Sequence, residues 1–328
     1  MLINLFPDDL KIQFMKNRWF FFALSSLLIL ASLILVPTRG LNFGIDFVGG
    51  IVIEIETPEK VDIGGIRTAL EPLQLGDVQV QEINDVGMGA SETGRVAMIR
   101  AQAPKGQGDA AESAVQSTTN RILDVLKSKF GDIEVRRNEA VGPKVSGELL
   151  QSGMTALVVA LVLMLLYIWF RFEWQFSIGA IIATVHDVIL TLGMLSLTQT
   201  EFNLSTIAAL LTIVGYSMND TVIVYDRVRE ELRRYKKLPV AEVIDLAVNN
   251  TLSRTTLTSG TTLLALVSIF LFGGDVLRSF SFALIWGIFV GTFSSIFVAS
   301  ALLLHTGVRR GGGGASGRTG TDDAAAPA

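Results

Sequence analysis
The chain has 328 residues, half of them hydrophobic, a mean hydropathy of +0.49, 18% charged residues, a net charge of −4 and no cysteine. A soluble domain carries about a quarter charged residues, so the deficit points to a membrane protein, and the composition excludes wholesale disorder and a disulfide framework. Net charge says nothing about nucleic acid here, because charge placement outweighs the sum. With only two histidines, His186 and His305, a multi-histidine zinc enzyme is disfavoured.

Six apolar segments occur in order: Trp19 to Val36, Met154 to Phe170, Phe176 to Leu197, Leu204 to Tyr225, Thr256 to Phe272 and Phe280 to Leu304. Each suits a bilayer, which needs about 20 apolar residues for a 30 Å core. The first comes after Lys11, Lys16 and Arg18 and ends at Pro37-Thr38-Arg39 without an Ala-x-Ala site, so it reads as an uncleaved signal anchor. This divides the chain into an N-terminus (1–18), a first span (19–36), an external domain (37–150), a bundle of five further helices (151–310) and a Gly/Ala/Ser/Asp tail (311–328), expected to be disordered.

Lys and Arg set the orientation. One side collects 14 of them, from the N-terminus, Arg171, the 226–255 loop and the C-terminus, while the short loops 198–203 and 273–279 hold only Arg278. Both termini are therefore expected in the cytoplasm and 37–150 outside, where long loops cross regardless of charge.

In the external segment, Ile51 to Thr57, Val78 to Ile83, Arg95 to Arg100 and Ile133 to Val141 read as strands, with a turn at Gly87-Met88-Gly89. Val61 to Leu73 and Asp109 to Phe130 read as helices, the latter amphipathic through Val115, Ile122 and Leu126. The order β-α-β-β-α-β predicts a ferredoxin-like α+β domain, which by itself argues no function. Without cysteine it must rely on its core in a compartment where disulfides form.

Polar groups inside spans cost about 2.5 to 3.5 kcal/mol each, so they mark the candidate chemistry. His186-Asp187 lies near the middle of the third span, with Thr184 and Thr191 on the Asp187 face. Asn219-Asp220 lies in the fourth, beside Gly215, Tyr216 and Ser217, and the fifth opens with Arg254 and a run rich in hydroxyls. A proton path needs a carboxyl shielded from bulk water and a movable cation that can force the proton off; Asp220 and Arg254 fit those roles. The plainer alternative makes Asp220 and Asn219 helix-packing groups and Arg254 a snorkelling anchor. His186 can relay protons or simply bond within the bundle, and neither pair offers enough ligands for a metal. Gly287-x3-Gly291 and Gly291-x3-Ser295 read as a small-residue packing stripe. Gly44 to Gly50 lacks the Lys-Ser/Thr ending of a phosphate loop.

Five ordered motifs resemble the SecF subunits of the SecD/SecF family, within the resistance-nodulation-division superfamily. They are Gly40 to Gly50, Val141-Gly-Pro-Lys-Val-Ser-Gly-Glu-Leu149, His186-Asp187, Gly215 to Arg227 and Ser253 to Ser259, and the resemblance spans about residues 14 to 308. It implies a multi-pass protein of the bacterial inner membrane that pairs with SecD, acts beside the SecYEG channel on a translocating polypeptide, and uses protons as its coupling ion with no cofactor and no ATP site. Asp220 would carry the proton, Asn219 and Arg254 would partner it, and Asp187 would be a further polar member of the bundle. The alternative is a proton-coupled exporter of lipid or small molecules, for which one six-span half looks too small.

Overall fold
The computed structural model describes residues 11–57, 61–73, 75, 78–83, 96–102 and 109–308. The Gly87-Met88-Gly89 turn, most of the N-terminus and the tail lie outside them. Among the described residues, six helical segments are long and apolar enough to cross a membrane: Met15–Arg39, Lys144–Arg171, Trp174–Thr198, Leu204–Arg234, Val240–Phe272 and Leu277–His305. They correspond to α1 (Arg18–Arg39), α5 (Pro143–Arg171), α6 (Trp174–Thr198), α7 (Leu204–Arg234), α8 (Val240–Phe272) and, for the last, α9 (Gly274–Phe293) with α10 (Ser300–His305). A π-helical turn, Ser294–Ala299, joins the last two.

Helices α6, α7 and α9 form the inside of the bundle, while α1, α5 and α8 leave most of their apolar surface exposed, as lipid contact requires. Close approach of α9 to α7 depends on the small-residue stripe. A Cβ at Gly287 would overlap the Ile213 side chain, and one at Gly291 would lie 3.2 Å from Ser217 Cβ. Because Ile213 is β-branched and buried, it has little room to yield. Gly287→Val is therefore expected to destabilise the bundle by about 1–3 kcal/mol, read as a lower melting temperature in detergent, whereas Gly215→Ala, whose Cβ meets nothing within 4 Å, should leave it unchanged.

Two helices run further than hydropathy indicates. The fourth span continues to Arg234 and the fifth begins at Val240, so most of the expected 226–255 loop is helical, with residues 235–239 as the connection. The extensions carry charge on one side, which lowers their mean hydropathy, yet the other side is apolar. Val228 and Leu232 pack with Val243, Ile244, Ala247 and Val248 in one buried cluster. Likewise α5 starts at Pro143, well before Met154.

Between α1 and α5 lies an α/β unit. Its strands are β2 (Gly50–Glu56), β3 (Val78–Ile83), β4 (Val96–Ala101) and β5 (Glu134–Val141), and its helices α3 (Ile63–Leu70) and α4 (Asp109–Phe130). The strands form one antiparallel sheet in the order β3-β4-β2-β5. Ile51, Ile53 and Ile55 point into a core with Ile66, Leu70, Ile122 and Leu126 from the two helices. The opposite face of the sheet carries Met98, Glu54 and Arg137 side by side. Arg137 pairs with Glu54 at 3.3 Å and Glu139 at 2.7 Å. Burial alone would lower its pKa, but the hydrogen bond and charge of Glu139, with Glu54 and Glu201, outweigh it and hold the guanidinium above its ordinary value.

The segment after α1 ties this unit to the bundle. Strand β1 (Asn42–Phe43) pairs in parallel with β6 (Glu201–Phe202), which links α6 to α7, and α2 (Ile45–Val48) comes directly after β1. Asp46 Oδ2 accepts from the Leu204 backbone N–H at 2.9 Å, at the orphan-donor end of α7. Asn42 Nδ2 donates to Gln199 O at 2.9 Å, and Arg100 pairs with Glu201 at 3.6 Å. A cavity of about 390 Å³ lies at this junction, lined among others by Met98, Arg137, Glu201, Phe270 and Arg278.

Candidate functional site
The inner helices bring two carboxylates together through one turn of the last span. Asp187, on α6, is fully buried. Its Oδ1 lies 2.8 Å from His186 Nδ1, and its Oδ2 accepts from Ser294 Oγ at 2.7 Å and from Ser217 Oγ in a short hydrogen bond. Asp220, on α7, is buried as well; its Oδ1 accepts from Thr255 Oγ1 at 2.9 Å and its Oδ2 from Ser295 Oγ at 2.6 Å. Such charge-assisted bonds stabilise a carboxylate held away from water.

Neighbouring residues explain the geometry. Successive side chains on a helix diverge by about 100°, so Ser294 and Ser295 reach different helices, one toward α6 and the other toward α7. The π-helical turn at this point is of the kind found at functional sites. Its backbone is satisfied from outside: Tyr225 Oη donates to Ala299 O at 3.0 Å and Ser300 Oγ to Ser295 O at 2.8 Å. A second polar line crosses the bundle from Tyr216 Oη to Ser259 Oγ at 3.2 Å and on to Thr292 Oγ1 at 2.7 Å.

Neither of the two expected neighbours of Asp220 bonds to it directly. Asn219 is exposed, one residue and therefore about 100° round α7 from Asp220. Arg254 is also exposed and forms no ion pair with Asp220; Thr255, the next residue of α8, makes the contact instead. Arg254 lines a polar cleft of about 440 Å³ with Ile223, Asp226, Arg227, Glu230, Asn250 and Thr251, at the end of the bundle that carries the basic connection. Thr184 and Thr191 do not serve Asp187 through its side chain: they donate to Ala180 O and Asp187 O of their own helix, at 2.9 and 2.8 Å.

Sequence reasoning missed four donors and one acid. Ser295 was legible only as a small residue in a packing stripe and Ser294 not at all, while Ser217 was visible only as a neighbour of Asn219-Asp220 and Thr255 only as a member of a hydroxyl-rich run. A pair of adjacent serines inside an apolar span, one turn after a glycine, was the available signal. The missed acid is Glu231, which is 1% exposed and so gives α7 a further buried carboxylate. Its Oε1 lies 2.8 Å from Arg227 Nη2 and accepts from Asn250 Nδ2 at 3.1 Å.

Comparison with known proteins places these features in a family. A family model described as "Protein export membrane protein SecD/SecF, C-terminal" matches residues 121–309, and one for the "SecD/SecF GG Motif" matches 34–57, the segment containing β1, α2 and β2. The chain is 46% identical over 310 residues to the protein translocase subunit SecF of Rhodobacter capsulatus, covering 94% of this chain and 92% of that one. It is 44% identical to the SecF of Cereibacter sphaeroides, covering 97% of each. Among solved structures it resembles SecDF of Thermus thermophilus, a translocon-associated membrane protein, at 35% identity and a TM-score of 0.77. That match covers 92% of this chain but 39% of the longer SecDF polypeptide. Six apolar helices, the matched motifs and the extent of the identities agree: the chain belongs to the SecD/SecF family of protein export membrane proteins, among its SecF subunits.

Proposed function
We propose that this chain is the SecF subunit of a Sec-type export machine of the bacterial inner membrane, an accessory transport subunit that works with SecD at the SecYEG channel. In this reading the proton gradient acts on the bundle and moves the external domain, which helps draw the translocating polypeptide outward. The observation that carries it is the pair of buried carboxylates, Asp187 and Asp220, on adjacent helices and bonded to adjacent serines of one π-helical turn. Packing alone does not call for buried acids, which are costly in a membrane and mark ion or proton paths. Asp220 is the proton carrier, with Asp187 and His186 as a second station. Arg254 acts from the polar cleft, and Asn219, exposed on α7, helps a neighbouring subunit or water reach the site. One charge moved through 100 mV is worth about 2.3 kcal/mol, an adequate drive without ATP.

The α/β unit is ferredoxin-like in this reading, supported by its element order and its strand order β3-β4-β2-β5, and it lies in the periplasm with both termini in the cytoplasm. The absence of native cysteine makes the orientation directly testable. In intact spheroplasts, a membrane-impermeant maleimide should label Ser117→Cys, on the exposed side of α4, and should label Lys237→Cys only after permeabilisation. The reverse pattern overturns the orientation.

The test of function is export by vesicles holding this chain, SecD and SecYEG, with and without a proton gradient. Stimulation that disappears in Asp220→Asn supports the proposal. Retained stimulation overturns the relay, and dimers of this chain transporting lipid or small solutes without SecD would favour the exporter alternative.

A further inference from the structure
Buried hydroxyls in these helices mostly do one thing. Thr184, Thr191 and Thr251, for example, each donate back to a carbonyl of their own helix, the usual way a buried hydroxyl is satisfied. Ser294 and Ser295 differ, because each has both a carboxylate and a carbonyl in reach. Ser294 Oγ lies 2.7 Å from Asp187 Oδ2 and 3.1 Å from Gly291 O. Ser295 Oγ lies 2.6 Å from Asp220 Oδ2 and 3.0 Å from Thr292 O. A hydroxyl has one proton, so it can serve only one of its two acceptors at a time. Both serines are fully buried.

Resting on the proton-coupled reading above, we propose that Ser294 and Ser295 are positioning residues that respond to the protonation of Asp187 and Asp220. Each donates to its carboxylate while that group is ionised, and turns its proton to the Gly291 or Thr292 carbonyl when the carboxyl is protonated. The balance is simple. The arriving proton forms a carboxyl O–H, which donates to the serine oxygen; the serine keeps its own proton and only rotates, so no bond of the serine breaks.

The fold supports this in three ways. The serines are consecutive, so a change at one carboxylate alters the hydrogen bonding of the same turn that holds the other. That turn is π-helical, and a return to α-helical register would rotate the rest of the helix by about 100°. Its far end is held by Tyr225 on the Ala299 carbonyl, so α10 and α7 would feel the change together.

The experiment uses the complex with SecD and SecYEG in vesicles and two readouts. The first is the ratio of export with a proton gradient to export without it. Ser294→Ala and Ser295→Ala should each cut the gradient-dependent part about tenfold while leaving gradient-independent export intact, the scale of losing one hydrogen bond to a charged group. The second is the infrared stretching band of the protonated carboxyl, assigned through Asp187→Asn and Asp220→Asn. Ser295→Ala should shift the Asp220 band and Ser294→Ala the Asp187 band. Ser→Cys variants, which keep size and a weak donor, should shift both readouts in the same direction by less, and they decide the matter if an alanine variant does not assemble. If both aspartate variants keep the gradient response, the proton-coupled reading itself fails. If the aspartate variants lose it while assembled serine variants keep the response and the bands, the serines are packing residues and the proposal is overturned.

Discussion

Asp220→Asn, assembled with its partners at normal levels, is expected to export at its gradient-independent rate whether or not a proton gradient is present. The substitution keeps the size of the side chain, and its amide oxygen can still accept from Thr255 or Ser295, so the local packing survives. The group it removes is the one able to take up and release a proton. Each proton no longer carried forfeits about 2.3 kcal/mol per 100 mV, a bias of about fiftyfold. Asp220→Ala is a poorer test, because it leaves two buried hydroxyls facing a void and adds destabilisation to any loss of function. Measuring the complex by co-purification alongside export separates the two effects. An Asp220→Asn complex that assembles and still responds to the gradient would remove Asp220 from the proton path.

Gly50→Ala is expected to be the most damaging single-methyl substitution in the α/β unit. Gly50 has φ +145°, a region essentially confined to glycine, which costs another residue about 1–3 kcal/mol. The added Cβ would also come within 2.8 Å of the Ala101 carbonyl oxygen. That oxygen belongs to backbone beside the β2–β4 register, where Ile51 faces Ala101, so it cannot move aside without breaking the pairing. Together these two costs exceed ~3 kcal/mol, and amide exchange along β2 and β4 in the full chain should accelerate by about a hundredfold or more. Gly131→Ala provides the contrast. Gly131 caps α4 at φ +75° with its N–H on Lys127 O, and a Cβ there meets nothing within 4 Å, so the cost should stay near ~1 kcal/mol. Equal exchange in the two variants would show that the approach of Ala101 does not matter.

These contrasts show where sequence information runs out. Hydropathy is additive along the chain, so the spans were legible, but α7 and α8 extend past their apolar windows because only one face of each extension is buried. The strands of the α/β unit were legible to within a residue or so from alternation, and the adjacent Gly49 and Gly50 were visible as a motif. The clash behind Gly50 was not, because Ala101 is remote in the chain and only the sheet brings it close.

The same division applies to the candidate site. Asp187 and Asp220 stood out in the sequence because a carboxylate inside an apolar run violates the local pattern, whatever the fold. Their partners did not. Arg254 looked right by charge and Asn219 by adjacency, yet helical rotation turns Asn219 outward and presents Thr255 to Asp220 in place of Arg254. The sequence by itself determined a six-span membrane chain with an α/β insertion and two carboxylates, Asp187 and Asp220, inside its spans, because length, hydropathy and isolated charge are properties of a single segment. Only the tertiary structure decided that Ser294 and Ser295 serve both carboxylates, because which faces of α6, α7, α8 and α9 meet depends on packing between segments far apart in the chain.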